Sequence, residues 1–134
     1  MLTEQVGHLL RRAHQRHTAI FQDMIGQAQL TPTQYAALVK IRDLGEVSQN
    51  ELGRMTAMDP ATIQGVARRL MARGLMQRSP DTMDRRTAVL EPTDAGVALI
   101  TRVVACARRA HEAAMSPLSP EERVQFLALL RRMG

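Results

Sequence analysis

Apolar residues recur at three- and four-residue spacing along the start of the chain: Val6, Leu9, Leu10, Ala13, Ile20, Phe21, Met24 and Ile25, with His17 on the same stripe. That period predicts an amphipathic helix from Thr3, as its N-cap, to about Ala28. At 1.5 Å per residue it would be about 39 Å long. A small core cannot cover such a stripe, so part of it needs another surface.

The same reading continues through the middle of the chain. Thr31 and Pro32 are a cap and a first-turn proline, and Tyr35, Leu38, Val39 and Ile41 make the inward face of a second helix that stops at Gly45. Ser48 and Glu51 have capping-box spacing, with Glu51 expected to reach back to the Ser48 amide. They open a short third helix with Leu52 and Met55 inward. Asp59 and Pro60 open a fourth, with Ile63, Val66, Ala67, Leu70 and Met71 on one side and Gly74 as its stop. The period then drops towards two. Leu75–Ser79 reads as a strand, Pro80–Arg85 as a turn, and Thr87–Glu91 as the returning strand, ended by Pro92. Thr93 and Asp94 cap a fifth helix to about Met115. Ser119, Pro120, Glu121 and Glu122 open a last one, Pro120–Arg132, whose Val124, Phe126, Leu127, Leu129 and Leu130 need a partner surface.

The expected fold is mainly α with a small β-hairpin wing. It is a winged helix-turn-helix in the order α1-α2-α3-α4-β-wing-β-α5-α6. Residues 1–134 form one domain: 31–92 a DNA-binding lobe, 1–30 and 93–134 the helices that pair two chains. The terminal segments carry more apolar surface than a monomer of this size buries easily, which predicts a homodimer.

Composition narrows the function. The chain carries a formal net charge of +5, and Lys40 is the only lysine among its 18 basic residues. Arginine forks onto phosphates and guanine edges, although a GC-rich genome gives the same bias. Aromatics are 2%, so the core is aliphatic and methionine-rich. Cys106 is alone, which excludes an internal disulfide. No apolar run reaches membrane-spanning length and no signal peptide opens the chain, so a cytoplasmic location without membrane contact is expected. No catalytic triad spacing, phosphate-binding glycine loop or cofactor motif is present. An enzyme or a bound cofactor is not expected.

The order and residues resemble the multiple antibiotic resistance regulator (MarR) family of winged helix-turn-helix regulators, over nearly the whole chain. Asp84-Arg85-Arg86-Thr87 matches the family's D-x-R-[ST] wing signature. Gly74-Leu75-Met76-Gln77-Arg78 fits its G-L-[IV]-x-R pattern. The family's Leu-Thr step is two residues longer here, Leu90-Glu91-Pro92-Thr93. The resemblance implies a palindromic double-stranded operator, and a small aromatic carboxylate or phenolic effector held between the pairing helices and the DNA-binding lobe.

Candidate residues follow. The outer face of the fourth helix offers Ala61, Thr62, Gln64, Gly65, Arg68 and Arg69, and Arg73 at its end is a further DNA-binding candidate. Gln64 and Arg68, one turn apart, have the chemistry to pair with adenine and guanine, and Gly65 would let the backbone approach DNA. The bland alternative is a solvated polar face. Gln49, Asn50 and Arg54 on the third helix are candidate phosphate contacts or plain surface. Arg85 and Arg86 suit a narrow minor groove, and the resemblance implies that Asp84 braces Arg86. On the first helix the candidates for the effector are Arg12 or Arg16 for its acid group, His8 flanking the anion with Arg12, and His17 further along the apolar stripe where the ring would lie. The alternatives are a thiol-redox switch at Cys106, flanked by Arg102 and Arg109, and a winged-helix adaptor that binds an acidic protein.

Overall fold

The computed structural model describes residues 1–80 and 88–134. The wing turn, with Asp84, Arg85 and Arg86, lies outside the described residues. The described elements are α1 (Val6–Ile25), α2 (Pro32–Leu44), α3 (Gln49–Met55), α4 (Pro60–Ala72), β1 (Met76–Pro80), β2 (Ala88–Pro92), α5 (Asp94–Met115) and α6 (Pro120–Met133). Single 3-10 turns cover Leu2–Glu4 and Gly26–Ala28.

Caps explain most boundaries. Thr31 accepts from the Gln34 amide while the Gln34 side chain accepts from the Thr31 amide. Ser119 and Glu122 make the same reciprocal pair. Asp59 and Thr93 cap α4 and α5 through the amides of Thr62 and Gly96. Gly74, at a φ of 72°, makes the left-handed turn out of α4 that a side chain would resist.

Three local expectations are corrected. Thr3 is no N-cap. The first residues close a tighter turn, with the Glu4 and Gln5 amides bonded to the Met1 and Leu2 carbonyls. Helix α1 therefore starts at Val6 behind an extended Gln5. It is 20 residues, about 30 Å. Ser48 caps α3, but Glu51 does not return to it. Its carboxylate pairs with Arg54 one turn on, a charge-assisted bond that outcompetes a neutral amide. Met55 is exposed, and Gly53 takes the buried place instead. A Cβ there would lie 3.0 Å from the Ile63 side chain and 3.2 Å from the Met58 carbonyl oxygen, so α3 and α4 touch nearly backbone to side chain.

The antiparallel hairpin pairs Met76 with Pro92 through Pro80 with Ala88. The two extra residues after Leu90 are taken up in this ladder. Val47 adds a third row, bonded both ways to Leu90 at 3.0 and 2.7 Å.

The core runs from Phe21 and Ile25 through Leu38, Ile41, Leu52, Ile63 and Leu70 to Leu90, Ile100 and Val103. It joins the helix-turn-helix lobe to α5 and the C-terminal half of α1. The N-terminal half of α1 and all of α6 stay out of it. Val6, Leu9, Leu10, Val124, Phe126 and Leu129 are exposed in the single chain, and α6 buries no residue. Alongside Leu130 and Met133, α1 and α6 line an apolar groove of about 270 Å³.

Candidate nucleic-acid interface and effector crevice

Helix α4 separates its faces as its period requires. Ile63, Val66, Ala67 and Leu70 are buried, whereas Ala61, Thr62, Gln64, Arg68 and Arg69 are exposed and Gly65 is half-buried. The Asp59 cap accepts from the Thr62 amide at 2.7 Å, and that bond holds its carboxyl below the usual range. Among the described residues no carboxylate pairs with Arg68 or Arg69. Their guanidiniums are available to phosphate or guanine. The terminal nitrogen of Arg69 lies 3.4 Å from where a Gly65 Cβ would stand.

The other candidates on this face differ. Asn50 is exposed and Gln49 half-buried. Arg54 is held by Glu51. Arg73 points away: its two terminal nitrogens donate to the Ala28 and Gln29 carbonyls, each at 2.9 Å. It ties the end of α4 to the turn after α1. This DNA-binding candidate therefore has its fork on the turn after α1 in the free chain. Carbonyls left over by the 3-10 turn give it better partners than water does.

A second feature lies between the scaffold and the lobe. A crevice of about 440 Å³ opens between α1, α2 and α5. His17 and Phe21 form one wall, Pro32 and Tyr35 a second, and Val104, Ala107, Arg108 and His111 the third. Phe21 meets Tyr35 edge-on at 5.3 Å and lies 6.1 Å from the His17 ring. Burial, aided by His14 and His111, pushes the His17 imidazolium pKa down. Burial also raises the Tyr35 phenol, with Arg42 and Arg108 opposing and Asp43 adding to the rise. The result is a crevice with aromatic walls and one guanidinium and two imidazoles in its lining. It can take a planar ring bearing a negative group.

Of the four α1 residues expected to bind the effector, only His17 lines the crevice. His8 is half-buried elsewhere on α1 and Arg12 is exposed. Arg16 donates to the Ala114 and Ala113 carbonyls at 2.6 and 3.2 Å, closing the C-terminal end of α5. Its fork is already filled by the orphan carbonyls that every helix end presents. Cys106 sits on the far side of α5, in a separate crevice of about 370 Å³, where Arg109 donates to its sulfur at 3.4 Å. Among the described residues no group of three His, Cys, Asp or Glu side chains gathers to hold a metal. No described helix is long and apolar enough to cross a membrane.

Residues 30–88 match the MarR family. Over 132 residues the chain is 52% identical to the HTH-type transcriptional repressor NicR of Pseudomonas putida, an alignment covering 98% of this chain and 84% of that one. The chain belongs to the MarR family. Among solved MarR-fold structures, a probable transcriptional regulator from Pseudomonas aeruginosa superposes with a TM-score of 0.95 at 46% identity, over the full length of both chains. Bordetella bronchiseptica BpsR, whose DNA binding is regulated by 6-hydroxynicotinic acid, superposes with a TM-score of 0.90 at 44% identity, over 98% of this chain and 94% of that one.

Sequence reasoning missed three crevice residues of this MarR chain: Tyr35, Arg108 and His111. Tyr35 was visible only as a core residue of α2. Arg108 and His111 are three apart on α5, which puts them on one face. The signal that would have found them is that this face also carries Val104 and Ala107, small enough to leave a slot.

Proposed function

We propose that the protein is a homodimeric, operator-binding MarR repressor that a small aromatic acid releases from DNA. The observation that carries the reading is the crevice of His17, Phe21, Tyr35, Arg108 and His111, wedged between α1 and α5 on one side and α2 of the lobe on the other. In this reading residues 31–92 are the DNA-binding lobe, and residues 1–30 and 93–134 the dimer scaffold. The exposed apolar faces of α1 and α6 pair between two chains. Gln64, Arg68 and Arg69 on α4 face the major groove, with Ala61, Thr62 and Gly65 close to it. Gln49, Asn50 and Arg54 lie along the backbone, and Arg85 and Arg86 enter the minor groove, Asp84 bracing Arg86 as the family resemblance implies.

The effector's carboxylate sits on Arg108 and His111, and its ring lies between Phe21 and the small face of α5. BpsR makes hydroxynicotinate the first acid to try. Its hydroxyl or ring nitrogen would lie near Tyr35 and His17. Release follows from linkage. A ligand that wedges α2 away from α5 favours a spacing of the two α4 helices that mismatches successive major grooves. It must then lose affinity for the DNA-bound form by the same factor that it weakens DNA.

Fluorescence anisotropy on a duplex selected from a random-sequence pool tests this. Nicotinate, 6-hydroxynicotinate, salicylate and benzoate are titrated into the preformed complex. Release by at least one acid, saturating and reversible on dilution, is expected. A complex indifferent to all four overturns the effector half of the reading; no duplex binding at all overturns the whole.

A further inference from the structure

Arg78 has no place in the reading above, although it closes the Gly74–Arg78 segment that links α4 to the wing. It pairs with Leu90 across the hairpin, and Leu90 is bridged in turn to Val47. The three residues form one row, across the two strands of the hairpin and the single bridge to Val47, and residues paired in an antiparallel ladder project to the same face. Leu90 and Val47 are buried on that face, under the helix-turn-helix. Arg78 stands at the outer edge of the row and is exposed. It lies where the sheet opens beside α4.

There the Arg78 guanidinium donates to the Gln49 side-chain oxygen at 3.1 Å. Arginine has no acceptor, so the Gln49 carbonyl must face it and the Gln49 amide nitrogen must face outward. The two side chains, with Gln64 of α4 and Ala88 and Leu90 of β2, line a cleft of about 260 Å³. Among the described residues no carboxylate lines it. One guanidinium and two carboxamides present donors around a space open to solvent, which is chemistry for an anion.

Resting on the DNA-binding reading, we infer that this cleft seats one phosphate of the duplex, with Arg78 as its charge and Gln49 as its oriented second donor. Helix geometry of the DNA itself requires a backbone here. Neighbouring major and minor grooves are separated by a single sugar–phosphate strand. If α4 lies in one groove and the wing in the next, that strand runs through the gap between them, and the cleft is that gap. Arg78 is thus the contact that fixes how far the wing stands from α4 on the duplex.

The test measures binding over a range of salt concentrations. The probes are a duplex of generic sequence and a high-affinity duplex selected from a random pool. Arg78→Ala should weaken both by the same factor, about tenfold, and lower the slope of log affinity against log salt by about one. Arg78→Lys should keep the slope and lose a smaller factor, because it keeps the charge without the fork. Gln49→Ala should cost less in the Arg78→Ala background than alone. Should alanine weaken the hairpin in a thermal melt, Arg78→Gln makes the same charge change while keeping a donor for Gln49. An unchanged salt slope in the neutral variants overturns the inference. So does a loss confined to the selected duplex, which would make Arg78 a base reader. A wild-type protein with no salt-dependent binding to either duplex would instead overturn the DNA-binding reading.

Discussion

Replacing Gly65 with alanine separates two roles of one position. Glycine in mid-helix costs about 1 kcal/mol relative to alanine. Nothing in the free protein requires that cost. The added Cβ would meet only the far end of the Arg69 side chain, at 3.4 Å, an ordinary contact with a flexible group. Gly65→Ala should therefore stabilise the free protein by roughly 0.5–1 kcal/mol and raise Tm by about 2–5 °C. On DNA the expectation reverses. Gly65 lies between Gln64 and Arg68 on the outward side of α4, and a methyl group there holds the backbone off the groove floor. Gln64 and Arg68 then lose alignment with base edges, each such pair being worth about 1–3 kcal/mol. Even the low end means about fivefold weaker binding to the best site. Circular dichroism melts and anisotropy titrations on the same preparations give both numbers. A raised Tm with undiminished DNA affinity would show that Gly65 never meets DNA closely. A lowered Tm would refute the space argument itself.

Two further outcomes follow from packing and charge. A Cβ on Gly96 would fall inside the Leu75 carbonyl oxygen, which also accepts the Thr93 amide. Gly96→Ala should destabilise by about 2–3 kcal/mol, from overpacking and a lost hydrogen bond less a helix-propensity gain, and lower Tm by roughly 5–10 °C; a melt equal to wild type contradicts this. His17 is held neutral in the free protein by burial and by His14 and His111. The unfolded chain therefore binds its proton first, and stability falls as pH drops below 6.5. The effector's carboxylate brings a negative charge into the crevice that His17 lines and opposes that preference, so the complex takes up a proton at His17 and effector affinity rises as pH falls, by up to about tenfold per pH unit. Calorimetric titration of 6-hydroxynicotinate from pH 8 to pH 6 checks the sign, and His17→Gln should flatten the profile.

Helices and caps were legible because their signals are local. Thr31, Asp59, Thr93 and Ser119 each cap the helix that follows, and the apolar stripe of α4 is buried where its period puts it. The errors occurred where a partner other than the expected one won the side chain. Glu51 is drawn to Arg54, Arg16 to the end of α5, and Arg73 to the turn after α1. The Arg54 partner was open to spacing, one turn along α3, but the partners of Arg16 and Arg73 were not, because an arginine reaches whichever carbonyls the fold leaves orphaned. A crevice lined by α1, α2 and α5 with His17 on its wall was expected from the family resemblance, but Arg108 and His111 in its lining were not. Arg108 and His111 come to it from a helix some ninety positions away in sequence from His17, and only the crossing of α1 over α5 brings them together. The third row of the sheet, Val47 on Leu90, was missed for the same reason: a single bridge has no period to read.

The account turns on Arg108 receiving the effector's acid group. Arg108 lies on α5, away from the DNA-facing side of α4, so Arg108→Ala should leave DNA affinity within about twofold of wild type. The decisive quantity is the concentration of 6-hydroxynicotinate that releases half of the bound duplex, in wild type and in Arg108→Ala at the same pH and salt. Loss of one charge-assisted contact, about 1.5–3 kcal/mol, predicts a midpoint at least tenfold higher in the variant. Equal midpoints with equal DNA affinity would place the acid group elsewhere and contradict the account.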